Sequence, residues 1–148
     1  MAGGRRAVPG RPLDLSPGAR ITECMSERYS MVRVDDVEPK PSQISGTNHV
    51  DLVEELGTTE MRPKVWYLSP GDALSHHRQT EQEEFYYVLE GPARIRIDDE
   101  LMDVEEGTAI RIPPETPRQV LNDTEGEHVW LIVGAPPVEG DGRPAYDE

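Results

Sequence analysis

Apolar residues in this chain occur in short runs separated by turn-forming residues, and the clearest runs lie in its second half. Val65, Trp66, Tyr67 and Leu68 form a run that stops at Ser69-Pro70-Gly71, a sequence that turns the chain. Glu84–Leu89 is rich in aromatic and β-branched residues and ends at Gly91-Pro92, as a strand and its turn should. Arg94-Ile95-Arg96-Ile97 alternates charged and apolar residues, the period of a half-buried strand. Asp98-Asp99-Glu100 reads as a hairpin turn, with Met102 and Val104 on a return strand towards Gly107. Ala109–Ile112 is a strand closed by Pro113-Pro114, and Arg118–Asn122 and His128–Val133 form a final pair around a turn at 122–126.

The first part of the chain is less regular. Val32–Val37 reads as a short strand broken by Pro39 and Pro41. Residues 39–48 read as loop, and His49–Leu56 as a strand or a helical turn. Strands recur every eight to twelve residues or so, with no long amphipathic helix, which predicts an all-β sandwich or barrel. With 148 residues, one domain is expected. Its expected organisation is a disordered extension over 1–30, a barrel over 31–135, and a loose acidic tail over 136–148.

The extension carries Arg5, Arg6, Arg11 and Arg20 without an apolar stretch, so it does not read as a secretory signal. An over-extended start, with the true beginning at Met25 or Met31, accounts for it equally well. No apolar run has the length needed to span a membrane. Cys24 is the only cysteine and has no internal disulfide partner, which fits a cytoplasmic location.

Charge narrows the function classes. Asp and Glu number 29 against 15 Lys and Arg, a net charge of -14. Nucleic acid is not an expected partner, because phosphate binding needs a basic face. Lys40 and Lys64 are the only lysines. An acid-rich, lysine-poor surface suits a salt-loving organism, since salt screens its self-repulsion; an ordinary acidic protein is the alternative. There is no phosphate loop, dinucleotide fingerprint or nucleophile motif.

Two separated blocks carry a more specific pattern. In the first, Gly71 is followed five residues on by His77, then Arg78 and Gln79, then after four residues Glu84, and after six more Gly91. In the second, Gly107 leads through five residues to Pro113, then Pro114, Glu115, Thr116, Pro117 and Arg118, with Asn122 three residues further. This spacing resembles the two motifs of the cupins: Gly, five residues, His-x-His, three or four residues, Glu, six residues, Gly; and Gly, five residues, Pro-x-Gly, two residues, His, three residues, Asn. The resemblance implies a jelly-roll barrel with its site in the interior, a small-molecule ligand, and a homodimer.

In metal-binding cupins, the two histidines and the glutamate of the first motif and the histidine of the second hold a divalent transition metal. The resemblance carries His77 and Glu84 into that set. Gln79 stands at the second histidine position and offers only a neutral carbonyl oxygen. Arg118 stands at the third and cannot ligate, because its guanidinium stays protonated. The metal set this leaves is His77, Glu84 and Gln79. His76 helps only if a bulge re-aims it, since adjacent strand residues face opposite ways. His128 lies on another strand, and its parity is open.

The substitutions suggest a different site, in which Arg118 pairs with Glu84 inside the barrel and His77 and Gln79 complete a polar network. The pocket set is therefore His77, Gln79, Glu84 and Arg118, with no residue assigned a catalytic role. The expected function is small-molecule binding in the barrel interior. The alternative is a metal-dependent enzyme of isomerase or dioxygenase type using His77 and Glu84. Phe85, Tyr86 and Tyr87 are expected to be strand packing, Trp66 and Trp130 core or interface residues, and residues 81–83 a solvated turn.

Overall fold

A computed structural model describes residues 28–146 and the backbone of Glu23–Met25. The chain begins with β1 (Glu23–Met25) and β2 (Ser30–Val32), a 3-10 turn over Val34–Asp36, then β3 (Lys40–Pro41), β4 (Asn48–Asp51) and a single helical turn, α1 (Leu52–Leu56). The long strands follow: β5 (Arg62–Leu68), β6 (His77–Arg78), β7 (Glu83–Glu90), β8 (Ala93–Ile97), β9 (Glu100–Val104) and β10 (Ala109–Ile112). β11 (Arg118–Val120), β12 (His128–Ala135) and β13 (Arg143–Pro144) complete the order.

β10, β7, β12, β5, β4 and β3 form one antiparallel sheet in that order, and β13, β6, β11, β8 and β9 a second. Side chains of both sheets meet in one core, where Leu68, Tyr86, Val88, Ile95, Val120 and Trp130 are almost or completely buried. The alternation of β7 explains its placement. Gln82, Glu84, Tyr86 and Val88 point inwards at period two, while Glu83, Phe85 and Leu89 face out. Two apolar faces on β5 serve two cores. Trp66 and Leu68 face the barrel interior, whereas Val65 and Tyr67 pack with Val50, Leu52 and Val129 on the outside of the same sheet. Val32, Val34 and Val37 lie against this outer cluster.

The expected His49–Leu56 element divides in two. Asn48–Asp51 pairs with β5, and then the Asp51 side chain accepts from the Val53 amide at 3.0 Å and caps α1. Gly57, at φ 71°, ends the turn. Val32–Val37 is not one strand: β2 ends at Val32 and the 3-10 turn begins at Val34. Inside the loop expected over 39–48, Lys40–Pro41 pairs as an edge strand with β4.

Two further expectations are corrected. Residues 1–22 lie outside the described residues, but Glu23–Met25 pairs antiparallel with Ser30–Val32, so the extension is not disordered throughout. The tail is not loose over residues 136–146. Arg143–Pro144 pairs with β6, Asp141 is buried, and the Tyr146 hydroxyl donates to Asp99 Oδ1 at 2.6 Å. The tail is held by contacts far away in sequence, which its Gly- and Pro-rich composition does not reveal.

Candidate functional site in the barrel mouth

The site is assembled where β6, β7 and β11 come together. Gly71 and Gly107, the leading residues of the two blocks, take φ values of 90° and 83°, a region that favours glycine. At the far end of the second block, Asn122 donates to the Leu68 and Gly126 carbonyls at 3.1 and 2.8 Å and accepts from the Thr124 amide. These residues fix turns. Glu115, at the glycine position of the second block, keeps an ordinary negative φ, since Asp98 is the only non-glycine with a positive φ among the described residues. Its carboxylate pairs instead with Arg78 at 3.0 Å.

Arg118 is the cross-strand partner of His77 and has no exposed surface. Its Nη1 stands 3.5 Å from Glu84 Oε1. Its hydrogen bonds go to backbone: Nη2 donates to the Pro113 carbonyl at 2.7 Å and Nη1 to that of Pro114 at 3.3 Å. These carbonyls also accept from the Thr116 and Gln79 amides, and the guanidinium adds a further, charged donor to each. Arg118 thus joins the corner to the carboxylate.

Glu84 is buried and collects three neighbours on one oxygen. Its Oε1 accepts from the Tyr86 hydroxyl at 2.9 Å and lies 3.5 Å from both His77 Nε2 and Arg118 Nη1. Burial pushes the Glu84 carboxyl up. His77, the Arg118 charge and the Tyr86 hydroxyl together outweigh burial, and the pKa lies below the ordinary value. Burial and the nearby carboxylate push the Tyr86 phenol well up, so Tyr86 remains a hydrogen-bond donor. His77 Nδ1 donates to the Ser75 carbonyl at 3.0 Å, because a carbonyl can only accept, and this turns Nε2 towards Glu84.

Gln79 is buried nearby, but it does not join this network. Its amide donates to the Pro114 carbonyl at 2.7 Å, while its side-chain Oε1 has no hydrogen-bond partner among the described residues. Neither additional histidine completes a ligand set. His76 packs edge-on against Tyr146 with centroids 5.5 Å apart. His128 faces inwards at the other end of β12, opposite Leu68, where its Nδ1 accepts from Trp130 Nε1 at 3.0 Å. Among the described residues no group of three His, Cys, Asp or Glu is gathered.

The donors therefore do not fit the divalent ion that the resemblance implies. Glu84 Oε1 already faces a permanent cation and a phenol donor, and a second positive centre there would repel the Arg118 guanidinium.

A cavity of about 620 Å³ opens above the network, lined by His77, Gln79 and Glu84. Arg118 lies beneath the lining and supports Glu84 from below. The outer wall is built by the C-terminal segment. The Asp141 carboxylate accepts from the amides of Thr80, Glu81 and Gln82 at 2.9–3.1 Å and from the Thr80 hydroxyl. Burial pushes its carboxyl up, but the Thr80 hydroxyl and these amides outweigh it and hold its pKa at about 2. The turn expected to be solvated is therefore partly buried. Gln82 lines the cavity, lies across Gly134 and donates to the Pro136 carbonyl at 3.0 Å. Inward parity with Glu84 was the feature that could have found Gln82 and Tyr86. Trp66 also lines the cavity, whereas Trp130 is core.

Two antiparallel sheets closed around one core, with a polar cluster in one mouth, define a jelly-roll barrel with an interior site. The Cupin domain family model matches residues 64–134, from β5 to β12, so this segment resembles a cupin domain. An uncharacterized protein of Methanocaldococcus jannaschii is 41% identical over 46 residues, which is 31% of this chain and only 37% of that protein's length. Among solved structures, the polyketide cyclase RemF of Streptomyces resistomycificus superposes with a TM-score of 0.68 at 22% identity, covering 79% of this chain and 85% of that one. A sugar phosphate isomerase of Silicibacter pomeroyi gives 0.64 at 22% identity, covering 71% and 74%. A predicted oxalate decarboxylase of Thermotoga maritima gives 0.64 at 16% identity, covering 72% and 99%. At these identities the likeness is one of fold.

Proposed function

We propose that this chain binds a small molecule in the mouth of its barrel, and that its own Arg118 takes the electrostatic place of a metal. The observation that carries the reading is the fully buried Arg118 guanidinium 3.5 Å from Glu84 Oε1. A carboxylate neutralised by the protein leaves no charge deficit for an ion to fill. His77 and Gln79 both line the cavity; Gln79 Oε1 is an enclosed acceptor without a partner, and His77 is already oriented through Ser75. The relatives' names cover a cyclase, an isomerase and a decarboxylase, and one barrel hosting such different chemistry does not select a reaction.

Metal analysis together with a thermal-shift ligand screen tests this reading. Purified protein loaded with iron, manganese, nickel or zinc and then desalted should retain well under one equivalent. A cognate ligand should raise the melting temperature, because binding to the native state alone stabilises it by about 2.7 kcal/mol at a hundredfold excess over Kd. Near-stoichiometric metal that is lost in His77→Ala would overturn the proposal in favour of a metal-dependent enzyme of isomerase or dioxygenase type using His77 and Glu84.

A further inference from the structure

We infer that the ligand of this cavity is an organic oxyanion, a carboxylate or phosphate on a compact apolar body, whose charge is met by Arg62 and Lys64. The inference rests on the binding role proposed above and names the chemical class of the ligand. Its basis is a local reversal of charge. The chain has a net charge of -14 and only two lysines, yet Lys64 lines this cavity together with Arg62 and Arg143.

The charged lining divides by how it is satisfied. Its two carboxylates are already occupied. Glu84 faces Arg118, Tyr86 and His77, and Asp141 takes the amides of residues 80–82. Arg143 Nη1 donates to the Gly140 and Gly142 carbonyls. Arg62 and Lys64 have no ion pair with any described residue. Lys64 stands 6.0 Å from the Trp66 ring centroid. Its cross-strand neighbour Asp51 is engaged in capping the Val53 amide.

Register keeps these cations apart from the buried acid. Gly134 on β12 pairs with Arg62 on one side and with Glu84 on the other. The two residues thus sit two strands apart, roughly 9–10 Å between backbones by strand spacing. One row along, Lys64 pairs with Ile132, which pairs with Tyr86. A ligand entering this space meets two cations along β5 that have no ion pair with a described residue, an apolar surface from Trp66 and Ile132, and His77 and Gln79 as further lining. Such cations in a partly closed cavity favour a negative group there. The net charge of -14 disfavours such a group on the surface as a whole.

The test uses the full chain and three probes of one shape: phenyl phosphate, benzoate and uncharged phenol. Binding is followed by tryptophan fluorescence and by melting temperature. At least one of the two anions should bind tenfold or more tightly than phenol, and the tighter of the two identifies the oxyanion. Arg62→Gln and Lys64→Gln should each weaken that anion about fivefold or more, and Lys64→Arg should keep most of the affinity. Lys40→Gln serves as control, because Lys40 lines only the neighbouring hollow; it should bind like the parent. Phenol binding as well as the anions would overturn the inference and leave the binding role standing. So would anion affinity unchanged in folded Arg62→Gln and Lys64→Gln proteins. No binding of any probe at millimolar concentration would overturn both.

Discussion

Arg118 and Glu84 meet inside the barrel, guanidinium Nη1 to carboxylate Oε1 at 3.5 Å, and the arginine has no exposed surface at all. Removing one member of a buried charge pair usually costs about 3–5 kcal/mol, because the other charge is left uncompensated. Arg118→Met should therefore destabilise the protein by about that amount in denaturant titration. The double variant Arg118→Met, Glu84→Gln should recover part of the loss, since a neutral amide at position 84 no longer needs a cation. Recovery will be incomplete, because the hydrogen bonds from Arg118 to the Pro113 and Pro114 carbonyls are lost as well. Strictly additive losses would mean that the two residues do not interact.

The buried Asp141 carboxylate is the corresponding device for the C-terminal segment. It draws the amides of residues 80–82 and the Thr80 hydroxyl onto one side chain about sixty residues away. Asp141→Ala should cost about 1.5–3 kcal/mol, the range for hydrogen bonds to a charged group. It should also speed limited proteolysis between residues 136 and 146. The pH dependence has a definite sign. The folded pKa, about 2, lies below the ordinary 3.8, so the folded state binds fewer protons between those values. The stabilisation is complete above about pH 4 and is lost as pH falls towards 2. Acid unfolding of Asp141→Ala should have a shallower slope in that window; an unchanged slope would remove Asp141 from the account.

The barrel was legible because its main strands are independent readouts of the same pattern. Period-two alternation in β7 and β8 and the turns at Ser69-Pro70-Gly71 and Gly91-Pro92 match the observed elements. The block spacing brought His77, Glu84 and Arg118 together because it counts residues through turns of fixed length. Strands of two residues, β6 and β13, carry no periodicity to read. The C-terminal wall escaped for a different reason. Its order comes from Asp141 reaching residues 80–82, a tertiary contact invisible in local composition. The bond from Arg118 to the Pro-Pro corner was likewise hidden, because backbone carbonyls have no letter in the sequence.

His128 provides a second pH-dependent contribution, well separated from that of the carboxylates. It is fully buried, and its Nδ1 accepts the Trp130 indole hydrogen at 3.0 Å, a geometry that needs the neutral ring. Burial pushes its pKa below the ordinary 6.5, with Asp123 opposing more weakly. A folded pKa below the unfolded one means that the unfolded chain takes up the proton first. Stability from this site is therefore full above about pH 6.5 and declines as pH falls below it. His76, also lowered chiefly by burial, acts in the same direction. Glu84 and Asp141 contribute only below their ordinary values of 4.5 and 3.8, so a fall in stability between pH 6.5 and 5 isolates the histidines. His128→Asn keeps an acceptor for Trp130 but cannot take up a proton. The parent should lose stability from pH 7 to pH 5 in urea titrations followed by tryptophan fluorescence, and His128→Asn should lose measurably less. Equal losses in the two proteins would show that His128 is not the group being titrated.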